Sequence, residues 1–180
     1  AYLGFLAGKE FIADVMADPH YVRFVRNAMT EDIAPTLGMP VAETNAYRDD
    51  LLRRFENVAL RHRTYQIAMD GSQKLPQRLL GTVADRIVTG ASFERLALGI
   101  AAWMVYARGV DLRGQPIPVQ DPLAAEFSAI GEDGMVAAYL GIDRVFPPAL
   151  AAHPGFRASL EDKVALLRAV GAAEAVRRLA

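Results

Sequence analysis

In "MDGSQKLPQRLL" (69–80), Asp70, Gly71, Ser72, Gln73 and Lys74 interrupt an apolar helical pattern just before a proline. With Pro76 in the first turn of the helix that carries Leu79, Leu80, Val83 and Ile87, residues 71–74 approach a helix N-terminus. Free amides and the macrodipole favour an anion there, and a lysine adds charge and three donors. Such a seat suits a carboxylate or a sugar hydroxyl. The commoner arrangement for these residues is a solvated turn, with Gly71 ending one helix and Ser72 or Gln73 capping the next. Spacing leaves both open. The basic run "LRRFENVALRHR" (52–63) is similarly divided: Arg53, Arg54, Arg61, His62 and Arg63 could hold a carboxylate or phosphate, or form a solvated face paired with Asp49, Asp50 and Glu56.

Other chemistries are thinly represented. The absence of cysteine removes disulfides, thiolate metal sites and cysteine nucleophiles, and fits a reducing, cytoplasmic setting. His20, His62 and His153 are far apart and lack metal-ligand spacing, so no metal is expected. No P-loop, no strand followed by Gly-x-Gly-x-x-Gly and no Gly-x-Ser-x-Gly elbow occurs. The residues alone do not assemble a catalytic constellation.

One domain, 1–180, is expected from 180 residues with 52% hydrophobic content. The net charge of −1 argues against a polybasic nucleic-acid binder. Positive charge gathers between 51 and 80, while 120–143 holds only acids, so an anion would go to the first region. No apolar run reaches the ~20 residues of a membrane span, and "AYLGFLAGKEF" lacks the basic start of a signal peptide. Because it begins in mid-pattern without Met, the chain reads as a piece of a longer one.

The elements that must position these residues are helical. In "NAYRDDLLRRFENVAL", Tyr47, Leu51, Leu52, Phe55 and Val58 fall on one face. Asp18-Pro19 and Asp121-Pro122 read as an N-cap followed by proline, Ser92 as an N-cap, and Ser159 with Asp162 as a weak capping box. Gly4 and Gly8 would permit close helix packing. "RGVDLRGQPIPVQ" (108–120) is a loop. The pattern predicts helices near 2–17, 19–37, 43–59, 61–70, 76–89, 92–109, 122–131, 134–140, 156–170 and 172–179, an all-α domain.

Three stretches together, "AYLGFLAGKEFIADVMADP", "YRDDLLRRFENVALRHRTYQIAMDGSQKLPQRLL" and "ALGIAAWMVYARG", resemble the C-terminal domain of the mannitol dehydrogenase family, in order and over essentially the whole chain. "HRTYQIAMDGSQKLPQRLL" (62–80) is most similar to the fructuronate reductase (D-mannonate oxidoreductase) branch. The resemblance implies an all-α, multi-helical domain of the 6-phosphogluconate dehydrogenase C-terminal type. Its partner would be an N-terminal Rossmann domain of the same full-length chain, which binds NAD and is absent here. The implied reaction is hydride transfer on a sugar acid or polyol. The catalytic Lys-x4-Asn-x2-His helix would lie just before Ala1, so no catalytic residue is assigned within the chain and the fragment alone is expected to be inactive.

Lys74 matches the lysine of the family's "DGSxK" motif and is expected to contact a substrate oxygen. Gln66 stands where many polyol-oxidising members carry arginine, which favours the uronate branch. Val58 departs from the usual "RFxNP" pattern. Asp70, Ser72, Arg61 and Arg63 complete the expected substrate wall. A mannitol- or arabinitol-type polyol dehydrogenase domain is the nearest alternative, and a non-catalytic helical interaction module is the rival of another class. Loss of the partner domain would expose Tyr2, Leu3, Phe5 and Leu6, a patch through which the fragment could dimerise.

Overall fold

From Leu96 to Ala107 the chain carries no charge, so a helix made from it is apolar all round and must be enclosed. In the computed structural model, which describes residues 1–180, that segment lies in the central helix, Glu94–Ala107. Every residue from Leu96 onward except Gly99 is buried. The helices in chain order are α1 (Tyr2–Leu6), α2 (Ile12–Met16), α3 (Pro19–Asn27), α4 (Val41–Glu56), α5 (Thr64–Ala68), α6 (Gly71–Leu75), α7 (Gly81–Val88), α8 (Glu94–Ala107), α9 (Ala124–Ser128), α10 (Met135–Leu140), α11 (Pro148–Ala151) and α12 (Pro154–Leu179). There is no strand, only two isolated bridges, Phe11 with Arg63 and Val110 with Pro116. The domain is all-α, as the periodicity requires.

Around α8 the core is aromatic. Trp103 meets Phe127 edge-on at 5.3 Å between centroids and Tyr139 at 5.2 Å, and Phe146 and Phe156 extend the cluster towards α12. Helix α12 lies along α8 and is broken at Gly171, whose φ of 77° no L side chain adopts readily. The two helices expected at 156–170 and 172–179 meet there. Lys163, almost buried, joins α12 to Glu94 at the start of α8.

Polar pairing fixes a second seam. Asp32 is 2% exposed and accepts both Nε (2.8 Å) and Nη2 (2.9 Å) of Arg95, while Arg86 Nη1 donates to the Glu31 carbonyl at 2.7 Å. A buried carboxylate needs such a partner. The hydrogen bond to Asp32 holds the Arg95 guanidinium charged even more firmly than usual. This pins the π-helical turn Ala28–Ile33, which continues α3, against α7 and α8.

Several boundaries differ from the sequence pattern. The helix expected at 2–17 is divided in two: Gly8 turns at φ 75°, and residues 10–12 pair with 62–64 through Ile12 N–His62 O (2.8 Å) and Thr64 N–Glu10 O (2.9 Å). Gly8 therefore serves a turn, whereas Gly4 does permit close packing, since a Cβ there would collide with Val15. Ser92 does not cap α8, which starts after Phe93, and its carbonyl accepts Arg86 Nε instead. Ser159 lies inside α12, whose cap is His153 through Nδ1 and the Phe156 amide at 3.1 Å. Tyr47 and Val58 are 64% and 76% exposed; on the α4 stripe only Leu52 is fully buried, because the helix meets α2 and α3 over a narrow contact. Tyr2, Leu3, Phe5 and Leu6 pack against the core, Leu3 buried and the other three half-buried, so they are less open than the apolar patch expected from the sequence. Exposed apolar side chains gather instead just before and along the first turns of α4, at Leu37, Met39, Val41 and Tyr47, with Val58, Leu60, Ile67 and Val88 exposed elsewhere.

Candidate functional site

Met69 leaves α5 extended, and Asp70 takes the left-handed conformation (φ 55°, ψ 37°), one that aspartate tolerates better than most residues. The reversal starts a new helix at Gly71, five residues earlier than the sequence pattern placed it. From Gly71 the backbone stays helical through α6, a π turn (Pro76–Leu80) and α7. Pro76 is thus an interior residue. It has no N–H to offer Ser72, and the widened π turn relieves the crowding that its ring would cause in a regular α-helix. Gly71 is helical, so its glycine answers a steric need: a Cβ there would lie 2.6 Å from Trp103 Cδ1 and from Tyr2 Oη.

The N-terminus of this helix already holds an anion. Asp121 accepts the Ser72 amide at Oδ2 (2.8 Å) and the Ser72 hydroxyl at Oδ1 (2.6 Å), and Oδ1 also accepts the Leu123 amide (2.9 Å). Asp70 N donates to the Gln120 carbonyl at 3.0 Å. The Asp-Pro pair read as a local cap thus reaches 49 residues back to brace the 70–72 turn. Ser72 is 5% exposed and spends its donors on Asp121, which makes it a brace for the lysine that follows.

Lys74 Nζ donates to the Met69 carbonyl at 2.6 Å, which ties the side chain over the αL turn. It lines a cavity of about 290 Å³ together with Ala1, Tyr2, Ile67, Arg78 and Leu79. Most of the wall is apolar, Lys74 and Arg78 are its charged side chains, and no carboxylate lines it. At its floor the Tyr2 hydroxyl donates to the Ala68 carbonyl at 3.3 Å. Burial pushes the Tyr2 phenol far above its ordinary range, with the Arg78 charge acting in the opposite sense.

The remaining expected site residues lie elsewhere. Arg61, left-handed at φ 45°, sets its guanidinium 5.0 Å from the Phe11 ring centroid, and Arg63 sits 5.8 Å from the same ring. Arg63 also pairs with Glu10 at 3.6 Å and lines a different cavity of about 460 Å³ beside Lys9 and Asp111. Gln66 is exposed and its side-chain oxygen caps the Arg63 amide at 3.4 Å. Asp70 is exposed beside the turn it forms. Tyr2 and Arg78 were not singled out as site residues from the sequence. Arg78 had a signal, since it follows Lys74 by four residues on the same helical face. Tyr2 had none, because its approach to 68–71 depends on how α1 packs.

No group of three or more His, Asp or Glu side chains gathers where a metal could bind. With no strand, the chain has no strand–glycine turn–helix unit of the kind that cradles a dinucleotide pyrophosphate. No helix is long and apolar enough to cross a membrane.

Residues 1–168 match the family model described as the mannitol dehydrogenase C-terminal domain. The chain is 51% identical over 146 residues to the D-mannonate oxidoreductase of Escherichia coli (strain K12), covering 81% of this chain and 29% of that protein. It is 33% identical to the mannitol 2-dehydrogenase of Pyrenophora tritici-repentis, covering 99% of this chain and 32% of that one. Among solved structures, the Pseudomonas fluorescens mannitol 2-dehydrogenase ternary complex with NAD and D-mannitol superimposes with a TM-score of 0.89 at 31% identity, covering 99% of this chain and 37% of the other. The chain spans about a third of the length of the curated relatives it matches. It belongs to the mannitol dehydrogenase family.

Proposed function

From that membership we propose that the chain is the substrate-binding domain of an NAD-dependent oxidoreductase interconverting D-fructuronate and D-mannonate. The observation that carries the reading is the cavity of Lys74 and Arg78, cationic and free of carboxylates, in a chain 51% identical to a D-mannonate oxidoreductase. A sugar acid brings an anion that this wall can meet, and a polyol does not. In this reading Lys74, positioned by its bonds to the Met69 and Ile67 carbonyls, offers its remaining donor to a substrate oxygen. The apolar wall excludes water around the sugar carbons. Asp70 and Ser72 hold the turn that aims Lys74. Gln66, Arg61 and Arg63 lie outside the cavity and make no substrate contact in this reading.

NAD itself would be held by an N-terminal Rossmann domain of the same full-length chain, its partner in this proposal. Ala1 lines the Lys74 cavity, so residues preceding Ala1 in a longer chain would be delivered to its rim. That is where the resemblance puts the catalytic Lys-x4-Asn-x2-His helix. The 180 residues alone would be inactive, and the exposed Leu37, Met39, Val41 and Tyr47 leave a face through which the isolated domain would self-associate. The setting is the cytoplasm, and no nucleic acid or membrane takes part.

A polyol reading has its own support, since the superimposed Pseudomonas fluorescens enzyme is a complex with D-mannitol. A substrate panel decides between the two: the complete enzyme assayed with D-mannonate, D-altronate, D-mannitol and D-arabinitol, each with NAD and with NADP. The expected outcome is the highest kcat/KM for mannonate with NAD. A higher kcat/KM for either polyol would overturn the sugar-acid proposal.

A further inference from the structure

Arg78 stands one helical turn beyond Lys74 and lines the same cavity. Its side chain has no ion pair or hydrogen bond within the chain, whereas Arg53 is paired with Asp50, Arg63 with Glu10 and Arg95 with Asp32. Two like charges at i and i+4 repel, and here nothing inside the cavity compensates them. The acids that act on the Tyr2 hydroxyl in the same wall are committed or turned away: Asp121 is bound to Ser72, and Asp70 is exposed. Lys74 is partly satisfied by the Met69 carbonyl, and its tether holds it over the turn. Arg78 is the free cation, with a planar fork that matches a carboxylate through two parallel bonds.

We infer that Arg78 reads the carboxylate of the sugar acid, while Lys74 takes a hydroxyl or carbonyl oxygen further along the carbon chain. This rests on the sugar-acid reading above and adds the residue that separates acids from neutral polyols. It also moves that role from Arg61 and Arg63, which line no part of this cavity, to a residue that does.

The test is a specificity ratio in the complete enzyme: kcat/KM for D-mannonate divided by kcat/KM for D-mannitol, for wild type, Arg78→Gln and Arg78→Lys. Losing a charge-assisted contact to the carboxylate lowers the ratio about 10- to 100-fold in Arg78→Gln, mainly through KM for mannonate. Arg78→Lys, which keeps the charge but not the fork, falls between. Arg78 is exposed, so both variants should melt with the wild type, and a thermal scan checks this. An unchanged ratio in Arg78→Gln, or equal losses on both substrates, overturns the assignment while leaving the sugar-acid reading in place. A wild type that turns over mannitol and no sugar acid overturns both.

Discussion

Lys74 and Gly71 show how much one side chain can carry at this turn. Lys74 Nζ donates to the Met69 carbonyl at 2.6 Å and to the Ile67 carbonyl at 3.5 Å, which leaves one donor for the cavity. Replacing it with alanine removes a charged donor worth on the order of 1.5–3 kcal/mol to a bound oxygen. On the proposed function, Lys74→Ala in the complete enzyme should therefore raise KM for fructuronate more than tenfold. Unchanged steady-state kinetics would remove Lys74 from the site. Gly71→Ala tests packing alone. An alanine in place of a helical glycine ordinarily stabilises by about 1 kcal/mol, but here its methyl would press on Trp103 and Tyr2. The expected result is a loss of about 1–3 kcal/mol in chemical denaturation, with a change in Trp103 fluorescence. A gain in stability would show that α8 can move aside.

At the scale of elements, the site depends on a brace between the 120–123 segment and the start of α6. Asp121 takes three hydrogen bonds there, two from Ser72 and one from Leu123. Asp121→Ala would leave these donors unpaired and remove the negative charge from a helix N-terminus. A loss of about 2–3 kcal/mol follows, read as a fall in Tm of roughly 4–12 °C for a chain of this size. Because the braced turn also aims Lys74, KM should rise in the same variant. A lower Tm with an unaltered KM would confine Asp121 to stability. The π turn at Pro76–Leu80 belongs to this scale too. Period and proline together suggested a helix beginning at Pro76, yet the observed helix starts at Gly71 and absorbs the proline by widening.

The whole molecule carries a pH signature through its buried phenols. Burial pushes Tyr2, Tyr21, Tyr106 and Tyr139 above the ordinary tyrosine range, with Tyr106 pushed up to about 12 from 10.0. A phenol held protonated in the folded chain means that the unfolded chain loses its proton first as pH rises. The contribution of Tyr106 is thus fully present below about pH 10 and is lost as pH climbs towards 12. Thermal scans at intervals from pH 9 to about 12 should show a falling Tm, less steep in Tyr106→Phe. A Tm that stays level across that range would contradict the burial. The Tyr106 and Tyr139 hydroxyls are also buried without a partner, so their phenylalanine variants should be neutral or mildly stabilising near pH 7.

What the sequence determined by itself was whatever depends on neighbours along the chain. The charge-free run from Leu96 to Ala107 required an enclosed helix, Asp18-Pro19 marked a cap that is present at 2.9 Å to the His20 amide, and Gly171 divided the last helix. The long "DGSQK" motif pointed to the family. Tertiary structure alone decided which cations share a cavity. Arg61 and Arg63 are near Lys74 in sequence, but the αL turns at Arg61 and Asp70 redirect the chain between them. Those arginines end against Phe11 and Glu10, and Arg78 ends beside Lys74. It likewise brought Asp121 to Ser72 and Tyr2 to Gly71, contacts between residues 49 and 69 positions apart. Local periodicity carries no information about such pairs. They exist because α8 must be buried, and the segments that cover it bring their polar ends together at one edge.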